Sequence, residues 1–223
     1  MFRTQDGWVQ VFQERRAYWL HDGNVLRPHA LLTSGNHSAG FINCSFLIKE
    51  IPLLGEAATD LMTLFVMSGG ELQDIDCVVG PQTGATKLAA FMSHLIADIR
   101  NRPCRWASPA KVGEGKNKVM LFKDPNHMLQ KGDRCLMCED VVTTGGTIDL
   151  TIQATQEAGG VVLPYIMALA NRSGHKRYGT RHIVALIDVD KPIWTPNECR
   201  LCAHGSRAVR PKDNWELLTQ DYS

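Results

Sequence analysis

Apolar residues recur at helical spacing in one stretch of the chain and crowd together as in a strand in the next. Trp8, Val9, Val11, Phe12, Tyr18 and Trp19 stand at rough helical spacing between about 5 and 20, which predicts a packed N-terminal helix. Residues 31–43 differ: Leu31-Leu32 and Phe41-Ile42 flank the polar turn Thr33-Ser34-Gly35-Asn36-His37-Ser38, as in a strand-loop-strand unit able to hold a ligand. A helix is predicted around 56–67. The run Ile75-Asp76-Cys77-Val78-Val79, stopped by Gly80-Pro81, reads as a buried strand, and Leu88, Phe91, Met92, Leu95, Ile96 and Ile99 predict an amphipathic helix ending near Arg100.

A second strand-loop-helix unit follows. Arg134-Cys135-Leu136-Met137-Cys138-Glu139-Asp140 is strand-like, 141–147 is a loop, and 148–158 is helical with Gly159-Gly160 as its stop. Further strands are expected at 161–169 and 183–187. This alternation predicts an α/β fold with a mostly parallel central sheet flanked by helices, in which ligands bind beyond the carboxyl ends of the strands. Cys135 and Cys138, three apart on one strand, should point to opposite faces of that sheet.

Length and charge narrow the picture. The 223 residues suffice for one α/β core with a smaller subdomain, and 24 basic against 23 acidic residues give a net charge of +1, so no global field points to nucleic acid or an anionic membrane. No stretch is long and apolar enough to span a bilayer, and the first residues lack a basic region leading into an apolar one, so a cytoplasmic location is expected. The seven cysteines suit reduced, partly buried thiols.

The chemistry concentrates in Cys138-Glu139-Asp140-Val141-Val142-Thr143-Thr144-Gly145-Gly146-Thr147. Adjacent carboxylates at a strand end can accept hydrogen bonds from neighbouring sugar hydroxyls. The threonine hydroxyls and backbone N–H groups that follow can hold an anion at a helix N-terminus. A pentose phosphate meets both demands. A Walker P-loop fits less well, because the loop has no lysine, and no dinucleotide fingerprint is present.

This string resembles the phosphoribosyl-pyrophosphate motif of type I phosphoribosyltransferases. The resemblance implies that Glu139 and Asp140 hold the ribose hydroxyls and that Thr143, Thr144, Gly145, Gly146 and Thr147 hold the 5-phosphate. Gly80-Pro81-Gln82-Thr83-Gly84 is similar to the family's pyrophosphate loop. Three further segments resemble the orotate branch: residues 32–43 its base-binding loop, Asn171-Arg172-Ser173-Gly174 the place of its base-binding arginine, and Ala110-Lys111-Val112-Gly113-Glu114-Gly115 its flexible catalytic loop. Ser34, Gly35, Phe41 and Arg172 are then the expected base contacts, since an arginine suits the charged edge of orotate and an aromatic ring its face.

The implied reaction transfers a phosphoribosyl group to a nucleobase, with Lys111 and Asp140 as catalytic residues and Lys116 and Lys118 as further cations. Magnesium is expected to arrive on the pyrophosphate substrate, and the family implies a homodimer whose flexible loop reaches the neighbouring site. Composition alone also permits a solvated hairpin at 111–118. The expected division is an N-terminal hood with the base loop (1–52), a core (53–193) and a tail packing on hood or core (194–223). A different base, or a non-catalytic sensor of the same sugar, are the rival readings.

Three positions depart from the family: Thr33 in place of a base-contacting lysine, Gly84 near a pyrophosphate-loop lysine, and Gly113 in place of a flexible-loop histidine. His37 reads as a hydrogen-bonding loop residue. Cys199-Arg200-Leu201-Cys202 with His204 has part of a zinc-ligand spacing, but no second cysteine pair stands at a matching distance, and no metal site is expected.

Overall fold

The computed structural model describes residues 2–220. Helix α1 (Gln5–Glu14) begins at Thr4, whose Oγ1 accepts the Gly7 N–H, and it buries Trp8 and Phe12. Trp8 Nε1 donates to Asp60 Oδ2 at 2.8 Å, tying the helix to α3 (Ile51–Met67). The helix is shorter than the apolar spacing predicts. Arg16 turns left-handed at φ 51°, and Tyr18–Leu20 form a strand, β1, that pairs antiparallel with β4 (Gly40–Ile42). Its aromatic residues thereby gain cross-strand neighbours.

Strands β2 (His29–Leu31) and β3 (His37–Ser38) flank the polar turn, and the short helix α2 (Ser45–Lys49) leads into α3, which starts with Pro52 in its first turn and so earlier than predicted. The core continues through β5 (Cys77–Val79), α4 (Thr86–Arg100) and β6 (Arg105–Ala107), the hairpin β7 (Ala110–Val112) and β8 (Val119–Leu121), then β9 (Arg134–Val142), α5 (Gly146–Glu157), β10 (Val161–Asn171), β11 (Arg177–Tyr178) and β12 (Arg181–Asp188). The tail adds β13 (Ile193–Trp194), α6 (Arg200–Ala203), β14 (Ala208–Val209) and α7 (Trp215–Thr219).

The central sheet runs in the order β11-β12-β10-β9-β5-β6 and is parallel except at the β11 edge. Its period-two alternation sorts the core into two faces. Val78, Leu136, Cys138, Met167 and Leu169 pack with α1, α3 and α4, whereas Cys77, Cys135, Met137, Ile166 and Ala168 pack with Ile148 and Ile152 of α5. Cys135 and Cys138 do lie on opposite faces. Pro164 sits in β10, a central strand, where it can donate no ladder hydrogen bond, and the register with β9 shifts between Val162 and Ile166 to accommodate it.

A separate four-stranded sheet, β13-β3-β2-β14, is drawn from both ends of the chain: β13 pairs with β3, and β14 runs parallel to β2. The tail therefore adds two strands to the sheet that carries the polar turn. Among the described residues, no helix is long and apolar enough to cross a membrane.

Candidate active site

The parallel strands deliver three of the sequence-predicted segments to one edge of the sheet: Gly80-Pro81 after β5, Glu139-Asp140 in the last turns of β9, and Arg172 directly after β10. Two adjoining cavities open there. One, of about 510 Å³, is lined by Lys111, Lys118, Glu139 and the loop 141–147. The other, of about 700 Å³, is lined by Thr33, Ser34, Phe41, Asp140, Arg172 and Lys212 among others. Val141, Thr143 and Thr144 belong to both walls.

The neighbouring carboxylates divide between the cavities. Glu139 faces the smaller one and is buried, and this burial, followed by the adjacent Asp140, pushes its carboxyl up to about 9. Asp140 faces the larger one, and its Oδ1 accepts the Val141 N–H at 2.8 Å. Gly84 backs directly onto it: a Cβ on Gly84 would lie 2.5 Å from Asp140 Oδ2. A side chain at position 84 would therefore press on the Asp140 carboxylate and require it to shift.

The loop 143–147 leads into the N-terminus of α5. Gly145 takes the left-handed φ of 83°, and a Cβ there would lie 2.0 Å from Cε2 of the Tyr178 ring. Tyr178 closes over the loop and donates from its hydroxyl to Asp149 Oδ2 at 2.6 Å, which raises its own pKa to about 12. The tyrosine comes from the antiparallel edge strand, and no sequence motif marks it.

Residues 110–121 form a hairpin, and Lys111 Nζ stands 3.3 Å from Thr147 Oγ1, over the 143–147 loop of its own chain. The segment feeding the hairpin is bonded to the 80–84 turn: Gln82 N–H donates to Pro109 O at 2.9 Å, and Gln82 Nε2 to Ser108 O at 3.4 Å. Lys111 is therefore anchored beside both the 80–84 turn and the 143–147 loop. Lys118 also lines the smaller cavity, and the side chain of Lys116 lies outside the described residues.

In the larger cavity, Arg172 reaches from the core to the hood, where Nη2 donates to Ser38 Oγ and Gly40 O, each at 3.2 Å. Its guanidinium lies 5.9 Å from the centre of the Phe41 ring. No carboxylate among the described residues pairs with it. Burial pulls its pKa down from the arginine range, as expected for a cation surrounded by neutral acceptors.

Ser34 and Phe41 line this cavity, but Gly35 does not. Gly35 sits at the tip of the turn with φ 85°, shaping the loop without touching the cavity. Phe41 also packs edge-on against Trp215 of the tail. Lys212, also from the tail, lines the same cavity as Thr33. The positive charge missing at position 33 is thus supplied to the cavity by a different element.

The chain is 28% identical to orotate phosphoribosyltransferase from Caldicellulosiruptor bescii over 208 residues, covering 93% of this chain and 97% of the relative. Identity to the orotate phosphoribosyltransferase of Campylobacter fetus is 29% over 202 residues, covering 85% and 93%. The crystal structure of orotate phosphoribosyltransferase from Aeropyrum pernix superposes with a TM-score of 0.58 at 22% identity, covering 81% of this chain and 92% of that one. By sequence and fold, the chain is similar to the orotate phosphoribosyltransferases. No family model matches it. The similarity to the Caldicellulosiruptor protein runs over nearly the whole length of both chains.

Proposed function

We propose that the protein transfers the phosphoribosyl group of 5-phosphoribosyl-1-pyrophosphate to orotate, forming orotidine 5′-monophosphate and pyrophosphate in pyrimidine biosynthesis. The observation that carries this reading is the half-buried, carboxylate-free Arg172 in a cavity that shares a wall with the 139–147 sugar-phosphate loop. A guanidinium without an ionic partner favours an anionic base over a neutral one.

In this reading the 5-phosphate sits on the loop 143–147 at the N-terminus of α5, and Glu139 and Asp140 accept the ribose hydroxyls. Pyrophosphate departs from the anomeric carbon toward the 80–84 turn and Lys111. Positive charge develops on the ribose ring as that bond breaks, and the base nitrogen then forms the new bond from the Arg172 side. Positioning and charge carry the catalysis.

Magnesium fits as a companion of the pyrophosphate. It keeps several waters and needs only one or two carboxylates besides the substrate's phosphates, and Glu139 and Asp140 are the carboxylates at hand. It would neutralise charge on the leaving group. A homodimer remains part of the proposal, although the hairpin here covers its own chain's loop.

The raised pKa of Glu139 gives a signed pH effect. With a pKa of about 9 in the free protein the carboxyl is protonated near neutrality, whereas the sugar hydroxyls are best accepted by its ionised form. Binding of the magnesium–sugar complex at neutral pH is therefore expected to release a proton, and above about pH 9 the release should fade. Calorimetry in buffers of different ionisation enthalpy measures it. Glu139→Gln should abolish the release, and buffer-independent heats in the wild type would remove Glu139 from the sugar site.

The functional proposal itself is tested by binding of orotidine 5′-monophosphate and uridine 5′-monophosphate, which differ only by the carboxylate. Orotidine 5′-monophosphate is expected to bind about tenfold or more tightly, since a charge-assisted contact contributes about 1.5–3 kcal/mol. Equal affinities would count against orotate as the acceptor.

A further inference from the structure

The partial metal spacing at Cys199 and Cys202 is completed by residues distant in sequence. His204, its neighbour in the chain, points away and bonds Arg200 O through Nδ1 at 2.6 Å. Instead, His29 of β2 and His37 of β3 converge on the two cysteines, and one ligand atom from each of the four lies within 4.8 Å of the others. His29, His37 and Cys199 are buried, and Cys202 stands at the rim. His37 is thus a buried strand residue and not the loop residue its neighbours in sequence suggest.

The spacings match a tetrahedral ion. A zinc with Zn–S of about 2.3 Å and Zn–N of about 2.0–2.1 Å sets its ligands about 3.3–3.4 Å apart for two nitrogens and about 3.5–3.6 Å apart for nitrogen and sulfur. His29 Nε2 lies 3.1 Å from His37 Nδ1, 3.4 Å from Cys199 Sγ and 3.5 Å from Cys202 Sγ, and Cys202 Sγ lies 3.3 Å from His37 Nδ1. These four separations lie within a few tenths of an ångström of the tetrahedral values.

The surroundings are built to match. His29 Nδ1 faces Ser206 Oγ at 2.9 Å, and that hydroxyl donates to Arg27 O at 2.7 Å, so it must accept from Nδ1–H and leave Nε2 with its lone pair toward the cluster. The Cys202 N–H donates to Cys199 Sγ at 3.5 Å, which fixes the cysteine pair on one side of the cluster. Two thiolates and two neutral imidazoles balance a dication, and binding releases the two thiol protons.

We propose that His29, His37, Cys199 and Cys202 bind a structural zinc ion that fastens the tail to the hood. The donor set, two nitrogens and two sulfurs with no open position, is that of a closed structural site. Its placement gives it a consequence. His29 and His37 are the two feet of the turn whose Thr33, Ser34 and Asn36 line the larger cavity, and the tail clamped to them brings Ile193 and Lys212 to the same wall. Metal binding thus organises the base half of the site and leaves the 139–147 loop alone.

The test begins with the full-length protein produced in zinc-supplemented medium. Elemental analysis should find one zinc per chain. Replacement by cobalt(II) should give the visible bands of a tetrahedral site together with thiolate charge-transfer absorption in the near ultraviolet. A Cys199→Ser/Cys202→Ser variant should carry only trace metal, and Cys104→Ser should keep it. If the double variant does not fold, the wild type still decides: a mercurial titration should release zinc in step with modification of two thiols. Ser206→Ala, which leaves every ligand in place, should weaken metal affinity by about tenfold.

Wild-type protein without metal above trace that also fails to take up cobalt(II) when reduced would overturn the proposal. So would full metal content in the double variant. A second arm rests on the orotate reading: metal removal should raise KM for orotate while affinity for the pyrophosphate sugar stays within about twofold, because only the base wall hangs on the cluster. Loss of both affinities alike would overturn the link between metal and base wall. Metal stoichiometry does not depend on the substrate, so failure of the orotate reading would leave that result standing.

Discussion

Lys111→Ala is expected to lower kcat about a hundredfold while the affinity for the pyrophosphate sugar changes little, because a cation placed where charge develops acts mainly in the transition state. The expectation comes from position. Lys111 Nζ rests 3.3 Å from Thr147 Oγ1, two residues beyond Pro109, whose carbonyl accepts a hydrogen bond from the 80–84 turn. From there the ammonium can follow charge from the bound phosphate loop to the departing pyrophosphate. Lys118 lines the same cavity and could supply part of the lost charge, so Lys111→Ala/Lys118→Ala should fall further than the single variant. Single-turnover rates check this, and full turnover in Lys111→Ala would reassign the hairpin as a solvated connection.

For Arg172→Ala the expected result is a loss of about thirtyfold in kcat/KM for orotate, or on the order of 2 kcal/mol, with a much smaller loss for uracil. Arg172 also braces the hood through Ser38 and Gly40, so a general loosening is the competing explanation. The ratio between the two bases separates them, because a looser hood would penalise both, whereas a missing carboxylate partner penalises only orotate. Arg172→Lys should recover part of the orotate rate, since an ammonium keeps the charge but not the planar fork. Equal losses for both bases would reduce Arg172 to a bracing residue.

The sequence pattern reveals those parts of the molecule whose cause is local. The parallel core reads directly from β-branched runs followed by amphipathic helices, because side chains on β9 must alternate between two buried faces, as Cys135 and Cys138 do. The 139–147 string is legible for a similar reason: carboxylates, hydroxyls and glycines are contiguous in the chain and contiguous in space. Where the cause is long-range, the pattern misleads or says nothing. Tyr18 and Trp19 continue a helical spacing yet pair with β4, a partner their own spacing does not announce. Lys212 reaches the larger cavity only because the tail joins the four-stranded sheet, and Tyr178 covers Gly145 only because β11 turns back along β12. His29 and Cys199 are 170 positions apart, and the pairing of β13 with β3 and of β14 with β2 brings their segments together.

The most direct test of the central claim, that these two cavities form one site for orotate and the pyrophosphate sugar, is steady-state turnover by the wild-type protein with magnesium, the pyrophosphate sugar and either orotate or uracil. Pyrophosphate and orotidine 5′-monophosphate are expected in equal amounts, with kcat/KM for orotate at least about tenfold above that for uracil. Turnover of uracil or a purine in preference to orotate would contradict it, as would binding of the sugar without turnover of any base.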